Sequence, residues 1–527
     1  MTDTPPLTVG IDLGTTFSAL AYLDRHGRPV TVVNSEGSLI TPSVVFFDEG
    51  QVIVGREAQR AGLFQPDRVV ECIKREMGNP SWKKAFGGVA YTPEMISGLV
   101  LMKLKKDAEA QLGPILRAVI TVPAYFDDGR RAATEAAGRI AGLEVVDILN
   151  EPSAAALTFS VKDVWGGEVK GAAEELGKGG ETVLVYDLGG GTFDVSLVRV
   201  ERGKFRVLAT DGDVRLGGRD WDQRIVDRVA DRFREEKGVD PRSDPQALQS
   251  LREEAERAKL ALSAKREARV PIQCGGHRTL VKIERTQFEE WTRDLLAQTR
   301  ATSELVVREA GMKWDAIHRV LLVGGSTRMP MVREMLRSVT GKEPDQSLPA
   351  DEVVAQGAAI HAAIHAVKNQ PGAASYFEED ILEVLENVQQ VNVNSHTLGM
   401  LALDKTGARK NSFIIPKNSP LPCAVSKVFR TQKDSQREFK VKILEGESAD
   451  PASCLALGEC QVELPARLPA KSPVEITYSY TASGRVHIEA RDLARGTGIR
   501  AELVRSEGLK SEEVEREADR MKTIEIV

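Results

Sequence analysis

Two short apolar runs, each closed by the same polar turn, stand out in the hydrophobic pattern of the chain. Residues 7–18 read LTVGIDLGTTFS and residues 182–196 read TVLVYDLGGGTFDVS. Each begins as a β-branched run suited to a buried strand and breaks at Asp-Leu-Gly. Beyond Thr-Phe, alternation resumes from Ser18 to Tyr22 and from Asp194 to Val200. Each motif therefore predicts the turn of a β-hairpin. Asp187 repeats Asp12 175 positions later, a distance that suits a duplicated α/β lobe better than a solenoid.

Elsewhere the period changes. Leu251, Ala255, Ala258 and Leu262 recur at helical spacing, which leaves Glu256, Lys259 and Ser263 together on another face. An apolar run, Val320 to Val323, ends in Gly324-Gly325, and an Ala-rich helix is predicted to end near Lys368. From Ser395 onward the pattern becomes short and alternating: Phe439–Leu444, Val474–Tyr480, Val486–Ala490 and Ile499–Val504, with turns at Ser483-Gly484 and Arg495-Gly496. Several such strands predict a small β-sandwich.

The paired turns carry the candidate chemistry. Glycines at 14, 189, 190 and 191 let the backbone approach an anion and offer it N–H groups, while Thr15, Thr16 and Thr192 add hydroxyl donors. Asp12 and Asp187 would repel bare phosphate, so the reading requires a cation between them; Mg2+ retaining its waters suits this position. Two motifs mislead. Gly171 to Gly179 imitates a phosphate loop but has one residue too many and lacks the hydroxyl after its lysine; it reads as a surface loop. His361 and His365 stand one helical turn apart without a glutamate between them, which argues against zinc.

At 527 residues, two to four domains are expected. A net charge of −6 leaves no basic footprint for nucleic acid or anionic membrane. Five scattered cysteines, none spaced as CxxC, point to a reducing compartment. The N-terminus does not read as a signal peptide, and no apolar run is long enough for a membrane span, so the expected location is cytoplasmic.

Five further segments share their patterns with one family. Ile73-Lys-Arg-Glu-Met-Gly78, Thr121–Phe126 with Asn150–Ala156, Asp213–Asp222, Glu256–Ser263 and Val323–Pro330 together resemble the 70-kDa heat-shock (DnaK-type) chaperones, from about residue 7 to 520. The resemblance implies an actin/hexokinase-like duplicated ATPase domain over 1–380, a linker over 381–393, a β-sandwich peptide-binding domain over 394–505 and a short helical tail over 506–527. It implies Lys74 as the catalytic lysine, with Glu151, Asp187, Thr192 and Asp194 ordering water and the γ-phosphate. Gly14 to Phe17, Gly189 to Gly191, Gly217 and Gly218 would line the phosphates. Glu256, Lys259, Ser263, Gly324, Gly325, Ser326, Arg328 and Asp351 would surround adenosine, with Arg328 stacking on the base. ATP/ADP and Mg2+ are the implied cofactors, with K+ a further candidate. Extended apolar peptides, a J-domain co-chaperone and a nucleotide exchange factor are the implied partners.

The C-terminal third departs from this pattern. The linker reads Val388-Gln-Gln-Val-Asn-Val393 where the family has leucines closed by an aspartate, and Asp147 replaces a common arginine. Lost apolar burial, about 1.5–3 kcal/mol per side chain, predicts a poorly docked linker. The peptide-binding positions are Met400, Leu403, Phe429, Gln432, Phe439 and Val441; Phe439 and Arg485 replace smaller or apolar residues there, which predicts an overfilled pocket. The family's helical lid is expected to be absent, so client binding is expected to be weak and fast. An ATP-driven chaperone is therefore weighed against a nucleotide-gated scaffold for one dedicated partner. A small-molecule kinase on the same fold is disfavoured by the β-domain.

Overall fold

The computed structural model describes residues 7–165, 180–201, 203–403, 406–431, 433–499, 501–505 and 508–527. It is a mixed α/β chain with several sheets. Its first large sheet contains β1 (Thr8–Asp12), β2 (Phe17–Leu23), β3 (Pro29–Thr31), β4 (Arg117–Val122) and β5 (Glu144–Asn150), in the order β5-β4-β1-β2-β3. The second contains β6 (Glu181–Leu188), β7 (Phe193–Glu201), β8 (Lys204–Asp213), β9 (Arg319–Val323) and β10 (Gln389–Val391), in the order β9-β6-β7-β8-β10. In both, a central strand has a parallel neighbour on one side (β4, β9) and its own antiparallel hairpin on the other. The repeated motif thus lies in equivalent positions of two lobes, with both turns at the ends of buried strands. The Gly171–Gly179 stretch lies outside the described residues.

The helices that bear on the argument are α1 (Pro93–Leu112), α2 (Asp128–Ile140), α3 (Glu151–Trp165), α4 (Gly218–Lys237), α5 (Pro245–Ala264), α6 (Val353–Asn369), α7 (Glu379–Asn387) and α8 (Ser511–Met521). The Ala-rich α6 runs between the lobes, and small residues make that possible. A Cβ on Gly10 would lie 2.0 Å from the Ala359 nitrogen, and one on Gly357 would lie 2.0 Å from the Ala154 carbonyl oxygen. Backbone therefore meets backbone, and Ala358, Ala359, Ala362 and Ala363 are buried.

The sandwich is built from β11 (Leu398–Leu403), β12 (Arg409–Ile415), β13 (Cys423–Arg430), β14 (Glu438–Glu445), β15 (Leu455–Glu463), β16 (Pro473–Tyr480), β17 (Val486–Asp492), β18 (Thr497–Ile499) and β19 (Ala501–Arg505). One sheet runs β12-β11-β14-β15-β19 and the other β13-β16-β17-β18. Alternation in β16 buries Val474, Ile476, Tyr478 and Tyr480 in the shared core.

Three expectations need correction. Residues 381–387, expected to be linker, are helical: they belong to α7, which buries Ile381, Val384 and Leu385. The rest of the stretch expected to be linker is docked: β10 extends the second sheet, with Lys204, Phe205 and Arg206 of β8 opposite Gln389, Gln390 and Val391. Main-chain pairing supplies what leucines do not, and Val388 and Val393 are still buried. The Gln390 amide is buried without a partner among the described residues, a local cost of the substitution. Asp147 pairs with His361 at 2.8 Å, so its charge is met between β5 and α6. Finally, Arg485 is not in a peptide pocket. It reaches the first lobe, 2.9 Å from Asp128 and 2.5 Å from Glu135.

Candidate functional site

A tight β-turn needs residues that tolerate close backbone approach, and the two hairpin turns here also press on each other. A Cβ on Gly190 would lie 1.9 Å from Thr16 Oγ1, and one on Gly191 would lie 2.2 Å from Thr15 Cγ2. Only glycine lets the second turn close onto the threonines of the first. Gly217, at the start of α4, packs equally hard on the Gly190–Gly191 backbone, and Gly218 N–H donates to the Gly189 carbonyl at 2.9 Å.

Between the turns lies a cavity of about 90 Å³. Asp12, Gly14, Thr15, Thr16 and Phe17 line it from the first turn, and Asp187, Gly189, Gly190 and Thr192 from the second. Lys74 and Glu151 enter from the first lobe; Gly324, Gly325 and Asp351 close the far side. Lys74 is carried by a single 3-10 turn, Ile73–Glu76, preceded by Cys72 at φ 57, an uncommon conformation for a residue with a side chain. Its Nζ donates to Glu151 Oε1 at 2.5 Å and is 4% exposed.

Charge balance in this cavity is one-sided. Burial would lower the Lys74 pKa, but the Glu151 and Asp12 carboxylates more than reverse this and raise it. Burial, then Glu151, pushes Asp12 up to about 6 and Asp194 up to about 8. Asp187 is raised well above the ordinary carboxylate range by burial, then by Glu151, Asp194 and Asp12. Three buried carboxylates (Glu151, Asp187 and Asp194) and the half-buried Asp12 thus surround one ammonium, an arrangement that favours an added cation. Among the described residues, no three acidic, His or Cys side chains form a group able to hold a metal directly. Thr16 Oγ1, in the first turn, is buried with no partner among the described residues.

The residues expected around adenosine assemble only in part. Ser326 Oγ donates to the Gly189 carbonyl at 3.0 Å, and Arg328 pairs with Asp351 at 2.7 Å. Ser263 instead bonds the Lys259 carbonyl of its own helix at 3.0 Å, and Lys259 Nζ turns to Asp222 at 2.8 Å. Glu256 lines a separate cleft of about 620 Å³ between the lobes, with Cys72, Arg75 and Arg219.

Sequence reading missed the bolts across that cleft. Arg75 donates to the Gly191 carbonyl at 2.8 Å and pairs with Asp220 at 2.6 Å; Arg219 pairs with Glu71. The adjacency of Arg75 to Lys74 was the available signal. Because the Arg75–Asp220 pair is partly exposed, its removal should cost about 1 kcal/mol. Arg75→Ala is expected to release a fluorescent nucleotide about fivefold faster in stopped flow. An unchanged rate would remove Arg75 from the closure.

One segment connects the cavity to the sandwich. Thr121 Oγ1 donates to Asp12 at 2.9 Å, and Tyr125 N–H donates to Asp194 at 3.0 Å. The Tyr125 carbonyl lies 3.1 Å from His396 Nε2, and its ring lies 4.2 Å from the His396 ring. Ser395 Oγ donates to the Ala124 carbonyl, and Lys417 pairs with Asp211. Beside these, Glu445 accepts from Tyr480 Oη at 2.8 Å and from Asp128 N–H at 3.3 Å.

Burial pushes the Glu445 carboxyl up to about 7, eased by His396 and reinforced by Asp127 and Asp128. His396 itself is raised: burial would lower it, but the Glu447 and Glu445 carboxylates outweigh that. Both groups hold their protons more tightly in the folded chain than as free side chains. Their contribution is present at low pH and is lost as pH rises through the docked values. For Glu445 the window opens at its ordinary 4.5 and closes near 7. Docking of the sandwich is therefore expected to weaken as pH rises from 4.5 to 8, by at most about 3 kcal/mol, since the Tyr480 bond within the sandwich persists and only the Asp127 and Asp128 side of the site is lost on undocking. Small-angle scattering across this range should show expansion at the alkaline end, and Glu445→Gln should flatten most of it. A full slope in the glutamine variant would assign the effect elsewhere.

The expected peptide-binding residues are divided. Val441 is buried in the sandwich core, while Met400, 3.8 Å from Tyr478 Oη, and Phe429 pack against that core partly buried. Gln432 and the side chains of Leu403 and Phe439 lie outside the described residues.

Comparison with known proteins points the same way. The family model described as Hsp70 protein matches residues 8–525. The chain is 41% identical to Chaperone protein DnaK of Thermotoga neapolitana over 98% of its own length and 83% of the relative's. It is 40% identical over the same shares to the protein of that name from Thermotoga maritima. Against the one from Thermosipho melanesiensis it is 40% identical over 93% of this chain and 78% of the relative.

Proposed function

The chain belongs to the Hsp70 family of ATP-dependent chaperones, and from that premise we propose how its own residues hydrolyse ATP and pass the signal onward. As in the family, ATP or ADP with Mg2+ is the bound nucleotide. The observation that carries the reading is the convergence of both Asp-Leu-Gly turns, Lys74 and Glu151 on one cavity.

In this reading, the N–H groups of residues 14–16 and 189–191 and the hydroxyls of Thr15, Thr16 and Thr192 grip the β- and γ-phosphates. Lys74, aligned by its bond to Glu151, places the attacking water and neutralises charge at the γ-phosphate. Mg2+, when bound through water to Asp12 and Asp187, supplies charge neutralisation on the phosphate oxygens. Asp194, at about 8 and held by Tyr125 N–H, is suited to take the water's proton, with Asp187 beside it. Gly217 and Gly218, Gly324 to Ser326, Arg328 and Asp351 frame the adenosine end, and Glu256, Lys259 and Ser263 reach it after local rearrangement. K+ is a second candidate cation at the same carboxylates.

The family's duplicated ATPase domain followed by a β-sandwich accounts for the two equivalent sheets and the third unit beyond β10. We assign residues up to about 387 to the ATPase and 394–505 to peptide binding. Clients are extended apolar peptides, and the co-chaperones are of the J-domain and nucleotide-exchange classes. Among the described residues no helix is long and apolar enough to cross a membrane; we place the protein in the cytoplasm. The route through Tyr125 and His396 supports coupling between nucleotide and sandwich. Steady-state ATP hydrolysis with and without an extended apolar peptide tests this. A rate unmoved by peptide, with no nucleotide effect on peptide affinity, would refute the coupling.

A further inference from the structure

An open strand edge in the first lobe is occupied by a distant part of the chain. Strand Val52–Val54 pairs on one side with Val44–Phe47. Along its other side lies the segment 525–527, in parallel register with Val52 opposite Ile526. Val52 N–H donates to the Glu525 carbonyl at 2.9 Å, Val527 N–H to the Val52 carbonyl at 2.9 Å, and Val54 N–H to the Val527 carbonyl at 3.1 Å. Side chains alternate as strand addition requires: Ile526 is buried and Ile524 half-buried, while Glu525 and Val527 are exposed.

Three further contacts hold the segment. Ile526 joins the first lobe's core with Val52 and Val54, and α8 adds Val514 and Met521 to the same core. Lys106 Nζ donates to the Ile526 carbonyl at 2.5 Å. A groove of about 490 Å³, lined by Met102 and Ile140 among others, runs beside Ile524 and Ile526. An unpaired edge of this kind is a template for any extended partner with alternate apolar residues.

We propose that the Val52–Val54 edge and its groove form a docking site for an extended segment with apolar side chains at alternate positions. Its occupant is the chain's own 524–527 segment, which acts as a latch. Because α8 follows β19, anchoring this segment keeps the sandwich beside the first lobe without help from nucleotide.

Amide exchange in the full-length chain tests the site. Ile526→Asp should speed exchange at Val52 and Val54 about tenfold to a hundredfold, the factor that burying one isoleucine supports, and Val527→Pro about threefold to tenfold, for one lost hydrogen bond. Val527→Pro removes one donor while keeping Ile526, so it remains informative if the aspartate variant fails to fold. A synthetic peptide of residues 521–527 should restore protection in the aspartate variant, and the same peptide carrying Ile526→Asp should not. Unchanged exchange in both variants, or equal rescue by both peptides, would overturn the site. Scattering of nucleotide-free protein tests the latch: the variants should expand relative to the unmodified chain, and equal radii would overturn it.

Discussion

Lys74→Ala is expected to lower ATP turnover about a thousandfold while changing the affinity for Mg-ATP by less than about threefold. In the proposed mechanism the lysine meets charge that develops at the γ-phosphate, so its contribution belongs to the transition state. Single-turnover hydrolysis and calorimetric binding separate the two quantities; equal losses in both would make Lys74 a mere binding residue. A second consequence distinguishes this chain's geometry. Glu151 is 6% exposed and loses its ion-pair partner, which should cost about 3–5 kcal/mol of stability. Adding Glu151→Gln to the alanine variant should recover much of the melting temperature and none of the turnover. If stability stays low in the double variant, the short Lys74–Glu151 contact is not what the lysine contributes to the fold.

Arg485→Ala is expected to shift the sandwich toward an undocked state by about 2–3 kcal/mol, roughly thirtyfold to a hundredfold. Asp128 has a side chain 1% exposed and receives both the guanidinium and the Val486 N–H. Removing the arginine leaves that carboxylate buried with less compensation. Faster amide exchange at Val486, together with a larger radius of gyration, would register the change. Glu135→Gln should do much less, since its carboxylate is 40% exposed and already solvated. Identical exchange in the Arg485 variant and the unmodified chain would show that apolar packing and the linker alone hold the domain.

Legibility followed the range of the interactions. The Asp12 and Asp187 hairpins could be read directly, because glycine and aspartate in a turn act within four residues. The helix over Pro245–Ala264 was equally plain, and its apolar residues Leu251, Ala255, Ala258 and Leu262 are buried as the spacing indicated. The same spacing put Glu256, Lys259 and Ser263 on one face, yet it could not show that Asp222, 37 positions away, turns Lys259 aside. The linker misled for a related reason. Its side chains were weighed, while the strand pairing with β8 is made by main-chain groups that every sequence carries.

Sequence alone determined the duplicated turns, the residue types able to face a metal-bound triphosphate, the alternating strands of the sandwich and the family. Those properties arise from neighbouring residues and backbone periodicity. Tertiary structure decided which charges meet: Lys74 with Glu151, Arg75 with Asp220, Arg485 with Asp128, and the 525–527 segment with the Val52 edge. These partners are separated by 77 to several hundred positions, and an ion pair or a strand edge has no local signature. Only the folded chain brings such groups within bonding distance, and burial there sets the strength of each contact.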